Sequence, residues 1–481
     1  MKPHGLIEPG RTLDAATMRR AMRLSTLDGI FAVQYTTLTT ATLLVGFLLA
    51  LGASAAEIGL VAMLPLLGGL LQPLGAVLVR RRGGWRKAVC VGAALLDDVL
   101  WLVILGLVTL LPGRQAILAV IGVLAVQQMI TAVNVVSWTS WISDLIPGTV
   151  RGRYFGRRNF ICNALGAVTA IAVGQFVDHV GDGAVWSFSV VIGVGMLMRF
   201  VSAYFLSKQP EPFPEQRLEG RFLRQLTTPV THVQFRRYLV YGMAWGFAVQ
   251  LSSPFFSVFM IRDLKIDFGI IMLFAGISTV ANLLGQRFWG GLSDRFGHQQ
   301  VLRLTTLITT FQPFWWIFTA NTGGGFYLLV LLHAVGGFAW GGYLLSNANL
   351  MMRLAPDAGK TSFFAVQGAL GGLFGALGPL AGGLLADMLP SLPFAFAHPS
   401  GLLLLFLISF VLRLGAWGLL HRVREPVQKP PLRVAYLIRD VVRTFNITQG
   451  FSPLFHTFTE GSDPDDHELG QAVDALVQRK E

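Results

Sequence analysis

Long uninterrupted apolar runs constrain this chain more than any other feature. Phe326 to Leu345 and Leu402 to Leu420 are two of about twelve such stretches. A helix needs roughly 20 apolar residues to cross ~30 Å of hydrocarbon. In lipid every backbone polar group must be satisfied within the protein, so each run is read as a membrane-spanning helix. Composition agrees: 53% of the 481 residues are hydrophobic and only 13% are charged. Soluble domains average about 25% charged residues, and so little charge cannot cover a soluble surface.

The expected helices 1 to 12 cover residues 25–50, 57–79, 88–111, 115–138, 159–181, 185–207, 238–260, 268–292, 301–320, 325–347, 362–387 and 400–421. The fold class is therefore all-α and membrane-embedded, with two six-helix bundles at 25–207 and 238–421. Segment 1–24 precedes the first bundle, and 208–237, rich in Pro, Arg and Glu, links the two. A polar tail follows from 422 to 481. In the tail, Val434, Leu437, Ile438, Val441, Val442 and Phe445 recur at helical spacing among Arg433, Arg439 and Arg443. That is the pattern of a basic amphipathic helix on an anionic leaflet or on the loops beneath it.

A net charge of +12 raises the question of nucleic acid. The distribution answers it. Basic residues gather at alternate ends of the apolar runs: Arg19, Arg20 and Arg23; Arg80 to Arg82 with Arg86 and Lys87; Arg151, Arg153, Arg157 and Arg158; then Arg217, Arg221, Arg224, Arg236 and Arg237. The intervening loops hold Arg114, Arg262 and Lys265. Positive charge is retained on the cytoplasmic side, so the pattern orients the chain as multi-pass in a bacterial inner membrane with both termini cytoplasmic. No nucleic-acid partner is expected, nor a cleavable signal or a disulfide framework; Cys90 and Cys162 both lie near the cytoplasmic side.

The two halves repeat. Phe31-Ala32-Val33-Gln34 in helix 1 recurs as Phe247-Ala248-Val249-Gln250 in helix 7. Pro147, Arg151, Tyr154, Phe155, Gly174 and Asp178 correspond to Pro356, Lys360, Phe363, Phe364, Gly383 and Asp387, and Arg199 with Glu211-Pro212 to Arg413 with Glu425-Pro426. Six helices per half give both halves the same entry direction. They are parallel repeats about an axis along the membrane normal, with a cavity between them.

Gly290-Gly291-Leu292-Ser293-Asp294-Arg295-Phe296-Gly297, between helices 8 and 9, carries G-x-L-x-D-R-x-G. The motif and its place resemble the loop signature of the major facilitator superfamily, and the resemblance covers roughly residues 20 to 425. The first half keeps Gly75 and the basic run but has Val79 where the acid belongs. Gly378-Pro379-Leu380-Ala381-Gly382-Gly383 looks like the family's antiporter motif, here in helix 11 rather than helix 5. The resemblance implies alternating access by a secondary transporter, with helices 1, 4, 7 and 10 lining the cavity. Physically, Gly290 and Gly291 permit close helix approach, and Asp294 can accept hydrogen bonds from a neighbouring helix N-terminus, a contact that would latch the cytoplasmic side shut; Gly290, Asp294, Arg295 and Gly297 are therefore read as gate or structural groups. Asp178 and Asp387 at the outer ends, and Arg199 and Arg413 in helices 6 and 12, are read as gate or structural groups because both halves carry them.

Polar side chains on membrane helices face protein or water. Asp28, Tyr35, Thr39 and Thr42 fall in one arc of helix 1. Gln127, Thr131, Asn134 and Trp138 form a stripe on helix 4, and His333, Trp340 and Asn347 another on helix 10. These are the expected substrate-cavity residues, apart from Asp28 and Thr42; the alternative is that such stripes hold helices together. Aromatics beside amides suit an organic solute with apolar and polar parts. Asp28, Asp97 and Asp98 are candidate proton-coupling groups, since an intramembrane carboxylate is costly unless paired or protonated. Asp97 and Arg199 lie at similar depth on helices 3 and 6, which makes them a plausible ion pair.

Gly359-Lys360-Thr361 ends like a phosphate-binding loop, but the required glycine is Leu354 and no strand precedes it. No His, Cys or carboxylate set has metal-ligand spacing, so neither metal nor cofactor is expected. Secondary transport by a monomer in the lipid bilayer, possible proton coupling included, leads the functional readings. The alternatives are a facilitative uniporter, a non-transporting receptor or assembly factor on the same scaffold, and a membrane-embedded enzyme.

Overall fold

The computed structural model describes residues 6–7, 15–39, 41–81, 86–146, 148–181, 183–212, 227–320, 324–356, 360–389 and 400–426. Twelve helical spans lie among them. Helix 1 comprises Ala15–Thr39 and Ala41–Ala50. Helices 2 to 6 are Ala55–Arg81, Arg86–Leu110, Gly113–Leu145, Gly148–His179 and Val185–Lys208. Helix 7 is Val233–Val258, closed by the wide turn Phe259–Asp263. Helices 8 to 12 are Phe268–Phe296, His298–Trp316, Gly325–Leu354, Lys360–Met388 and Gly401–Leu420. The linker side chains from 212 to 226 and the tail helix expected at 434–445 lie outside the described residues.

Several helices outrun the expected bounds, by most at the end bearing the arginine clusters, hereafter the basic end. Helix 1 starts at Ala15, helix 5 starts at Gly148, helix 4 runs to Leu145 and helix 10 to Leu354. Hydropathy marks where hydrocarbon stops, whereas backbone hydrogen bonding continues into water. Ten spans are long and apolar enough to cross a membrane. Helix 2 shows a shorter apolar stretch, Ala55–Leu71. Helix 9 is rich in threonine and satisfies those hydroxyls internally. Thr305 donates to Val301 O (2.9 Å), Thr309 to Thr305 O (2.9 Å) and Thr310 to Thr306 O (2.8 Å).

Packing follows the repeat. Helix 1 packs on 5 and 6, helix 3 on 4 and 6, and helix 2 on 4; helices 7, 9 and 8 repeat these pairings with 11 and 12, 10 and 12, and 10. The halves meet through two extensive cross-pairs, helix 2 with 11 and helix 5 with 8. Glycine makes this approach possible: a Cβ on Gly174 would lie 2.6 Å from Gly269 Cα, and one on Gly383 would lie 2.8 Å from Ala56 Cα.

The core is distributed unequally along the membrane normal. Away from the basic end, one hydrophobic cluster runs through both halves, joining Phe47, Ile58, Ile117 and Phe188 to Phe255, Phe268, Trp316 and Leu402. At the basic end the clusters divide. One belongs to helices 7, 9, 10, 11 and 12, including Phe235, Leu350 and Phe363; another to helices 1, 4 and 5, including Ala21, Ile142 and Tyr154. Each half is also tied within itself there. Arg86 Nη1 donates to Asp144 Oδ2 at 2.5 Å and lies 3.7 Å from Glu211. In the second half Arg353 meets Glu425 at 3.0 Å, and Glu425 also accepts from the Gln299 N–H at 3.1 Å. Leu6 and Ile7 run parallel to Glu211 and Pro212 beside the first of these ties.

Candidate functional site

Helix 1 has two polar faces with different surroundings. Asp28, Tyr35 and Thr39 point into the first bundle and are buried. Val33, Thr36, Thr37, Thr42 and Leu43 face a cavity of about 350 Å³ between the bundles. Asn163, Gly166, Ala167 and Ala170 of helix 5 and Met272, Ala275, Gly276 and Thr279 of helix 8 complete its lining. The lining mixes apolar surface with hydroxyls and one amide, and none of these side chains is charged.

Part of the expected cavity set is therefore relocated. Tyr35, Thr39 and Gln127 lie inside the first bundle rather than along this cavity. The cause is hydrogen bonding. The Tyr35 hydroxyl donates to Asp97 Oδ2 at 2.6 Å and accepts from Trp101 Nε1 at 2.9 Å and Gln127 Nε2 at 3.3 Å. Thr39 donates to Tyr35 O at 2.7 Å. A polar side chain that finds partners between helices is held there. Thr42 lines the cavity and lies 3.4 Å from Ser257 of helix 7. Thr36, Thr37, Asn163 and Thr279 escaped the sequence stripes. Asn163, an amide within an apolar run, was the signal available.

The remaining expected residues fall as follows. Thr131, Asn134 and Trp138 are half-buried on helix 4. Asn134 Oδ1 is enclosed, and Trp138 stacks under the Arg158 guanidinium at 5.3 Å. On helix 10, His333 stacks on Phe274 at 4.9 Å and meets Trp316 edge-on. Trp340 packs on Tyr343 and donates to Gln312 Oε1 at 3.3 Å. Asn347 Oδ1 accepts from Tyr238 at 2.9 Å.

Asp28 is 4% exposed and accepts from Ser202 at 2.7 Å, with Arg158 close enough to act on it through charge. Asp97 lies 3.7 Å from Arg199, whose guanidinium also sits 5.2 Å above the Tyr35 ring. Asp98, next along helix 3, is half-buried. Arg413, the counterpart of Arg199, is 1% exposed and has no carboxylate within reach among the described residues. It donates to Thr309 O (2.9 Å), Val249 O (3.4 Å) and Ser252 Oγ (3.0 Å). The repeat offset sets Asp97 near Gln312, which is not acidic, so this carboxylate belongs to the first half.

At the end away from the basic clusters, Asp178 and Asp387 do matching work. Asp178 of helix 5 accepts from the N–H of Phe268 (2.8 Å) and Gly269 (2.5 Å), the first turn of helix 8. Asp387 of helix 11 accepts from the N–H of Ala55 (3.2 Å) and Ala56 (2.8 Å), the first turn of helix 2. Each carboxylate occupies the favourable position for an anion at a helix N-terminus, and each joins one bundle to the other. Asp294 and Arg295 are exposed at the helix 8–9 turn, where Gly297 takes φ 98°. The side chains of their first-half counterparts around Val79 are outside those described.

Twelve spans in two pseudo-equivalent bundles around an uncharged interfacial cavity make up the fold that the loop motif implied. The Major Facilitator Superfamily model matches residues 238–458. The chain is 30% identical over 217 residues to the multidrug resistance protein MdtG of Salmonella arizonae, covering 44% of this chain and 50% of that protein. It thus spans about half the length of the curated relatives it matches. The solved nucleoside transporter NupG superposes with a TM-score of 0.63 at 14% identity, covering 85% of this chain and 98% of that one. A D-xylose-proton symporter gives 0.59 at 16% identity, covering 86% and 99%. The family model thus covers the second half of the chain, and the solved structures share the fold of the whole.

Proposed function

We propose that this chain is a secondary transporter that moves a small organic solute across a bacterial inner membrane by alternating access. One observation carries the reading. The bundles are fused at one end by a shared hydrophobic cluster and two reciprocal aspartate caps, while at the basic end each bundle closes on itself. An alternating-access carrier in its inward-facing state has this form, because a solute site must open to one side only. The basic end is cytoplasmic by the retention of positive charge. The two six-helix units are 25–207 and 238–421, working as a monomer.

The cavity favours a neutral solute with hydroxyl or amide groups on an apolar frame. Thr36, Thr37, Thr42, Asn163 and Thr279 supply donors and acceptors, and Val33, Ala167, Ala170 and Met272 supply apolar contact. Its ~350 Å³ lies in the ordinary range for small-ligand sites. The multidrug resistance protein, the nucleoside transporter and the D-xylose-proton symporter are named for small organic molecules, whereas two further neighbours of the same fold are a metal transporter and a homologue of an iron transporter.

The test is counterflow in proteoliposomes holding the purified chain, using nucleosides, pentoses and lipophilic drugs as probes, preceded by a thermal-shift screen of the same compounds. Saturable counterflow of a stabilising compound is expected. Stabilisation without any flux would overturn transport in favour of a receptor. Flux indifferent to a pH gradient would make the protein a uniporter.

A further inference from the structure

Three helices of the second bundle reach the basic end carrying cations and no carboxylate. Val233–Val258, His298–Trp316 and Gly401–Leu420 contain neither Asp nor Glu. Arg236 and Arg237 stand at the start of helix 7, Arg303 near the start of helix 9, and Arg422 and Arg424 just past helix 12. Glu425 is the acid beside them, and it is committed to Arg353 and to the Gln299 N–H. The first bundle is different at this end, where Arg86 has both Asp144 and Glu211. Guanidiniums left without a counter-charge at a membrane surface draw anions.

Two of these guanidiniums are fixed in place. Arg237 Nη1 donates to Arg422 O and Arg303 Nη2 to His421 O, each at 3.2 Å. The acceptors are consecutive carbonyls at the end of helix 12, so the two side chains flank one turn. Each spends an N–H there and keeps others to give. Arg303 Nε is enclosed without a partner among the described residues. The five arginines also outweigh the roughly half negative charge of a helix C-terminus. Beside this turn, the seam between helices 9 and 12 is aromatic. Phe311 meets Phe410 at 5.2 Å, and Phe311 is exposed. Nearer the basic end, Trp417 donates to Arg303 O at 3.0 Å and meets His421 edge-on.

We propose that this turn binds the headgroup of an anionic phospholipid from the leaflet at the basic end, with the phosphate held between Arg237 and Arg303 and the acyl chains lying along the Phe311–Phe410 seam. Arginine suits the role because its planar fork meets two phosphate oxygens at once. Two features select a lipid over free phosphate. The cations close an apolar, aromatic seam rather than an aqueous recess. Trp417 stands beside them, and an indole with its ring in apolar surroundings and its N–H satisfied marks the interfacial level of a membrane helix. The site belongs to the second bundle alone and shares no residue with the cavity between helices 1, 5 and 8.

The proposal stands apart from the transport reading, since binding is measured without any solute. Delipidated full-length protein in neutral detergent is titrated with phosphatidylglycerol or phosphatidylcholine, and bound lipid is counted by native mass spectrometry. Phosphatidylglycerol should bind about ten-fold more tightly. Arg237→Gln with Arg303→Gln should abolish that preference. Arg20→Gln with Arg23→Gln removes the same charge from the basic end of the first bundle and should keep it. Arg303→Lys keeps the charge but loses the fork, and should fall between. A second readout leaves every cation in place: brominated phosphatidylglycerol should quench tryptophan emission saturably, and Trp417→Phe should remove that saturable part. Equal affinity for the two lipids, or equal loss in both arginine pairs, would overturn the site. Thermal stabilisation by inorganic phosphate equal to that by phosphatidylglycerol would overturn the lipid as its occupant. So would a preference that appears only after Asp463→Asn, Asp465→Asn and Asp466→Asn, because the chain's own acidic tail would then hold the arginines.

Discussion

At the scale of single residues, buried polar groups in this protein are held by several partners at once. Tyr35 is the clearest case, with one hydroxyl serving Asp97, Trp101 and Gln127. Tyr35→Phe preserves shape but leaves two buried donors and a carboxylate oxygen unserved. Thermal denaturation in detergent should show a loss of about 1–3 kcal/mol. Arg86 is a second case, buried between Asp144 and Glu211 at the basic end. Arg86→Met leaves Glu211 buried without its cation and should cost about 3–5 kcal/mol by the same measurement. Glu211, beyond the membrane spans, also sets a pH dependence. Burial raises its carboxyl above the ordinary value of 4.5, outweighing the pull of Arg86 and Lys87. The folded chain therefore holds the proton more readily than the unfolded chain. This contribution to stability is full below that value and is lost as pH rises through the raised one. Glu211→Gln should flatten that part of the stability profile, read as melting temperature against pH.

At the scale of elements, the caps at Asp178 and Asp387 are both helix terminators and joints. Losing a cap costs about 0.5–2 kcal/mol, a two- to thirty-fold shift in an equilibrium. Asp178→Ala with Asp387→Ala should move the population towards the state open away from the basic end, measured by spin-label distances between helices 5 and 8 and between helices 2 and 11. An unchanged distance distribution would show that the hydrophobic cluster alone holds that end. The elements themselves were largely legible in the sequence, since apolar runs and Arg clusters place twelve spans to within a few residues at their apolar ends. Which face of helix 1 meets solute was not. Asp28, Tyr35 and Thr39 share an arc, and periodicity reports a common face without saying what that face touches. The partners Asp97, Trp101, Gln127 and Ser202 come from three other helices, and their convergence is a tertiary fact. The depth argument for Asp97 and Arg199 was more informative because depth, unlike orientation, can be counted from the chain ends of neighbouring helices.

At the scale of the whole molecule, the protein is two similar halves with different electrical interiors. The first half buries Asp28, Asp97 and Arg158, with Arg199 half-buried beside Asp97; the second buries Arg413 among carbonyls and hydroxyls. If the halves rock against each other, fixing their closed end should stop transport. Thr42 Oγ1 and Ser257 Oγ, from helices 1 and 7, are 3.4 Å apart. The pair Thr42→Cys with Ser257→Cys should cross-link under oxidation, abolish counterflow and recover it on reduction. Flux that survives complete cross-linking would rule out opening at that end.

The two caps lie on opposite flanks of the interface, one where helix 5 meets helix 8 and one where helix 2 meets helix 11. They act like a pair of hooks on a double door. Unhooking one flank alone lets the halves swing on the other and parts them sideways, towards the lipid. Only release of both in step opens a straight passage to water. A single-cap variant should therefore leak amphiphiles into the bilayer before it gains any route to the far aqueous side, a symptom that sorts hinge failure from loss of the solute site.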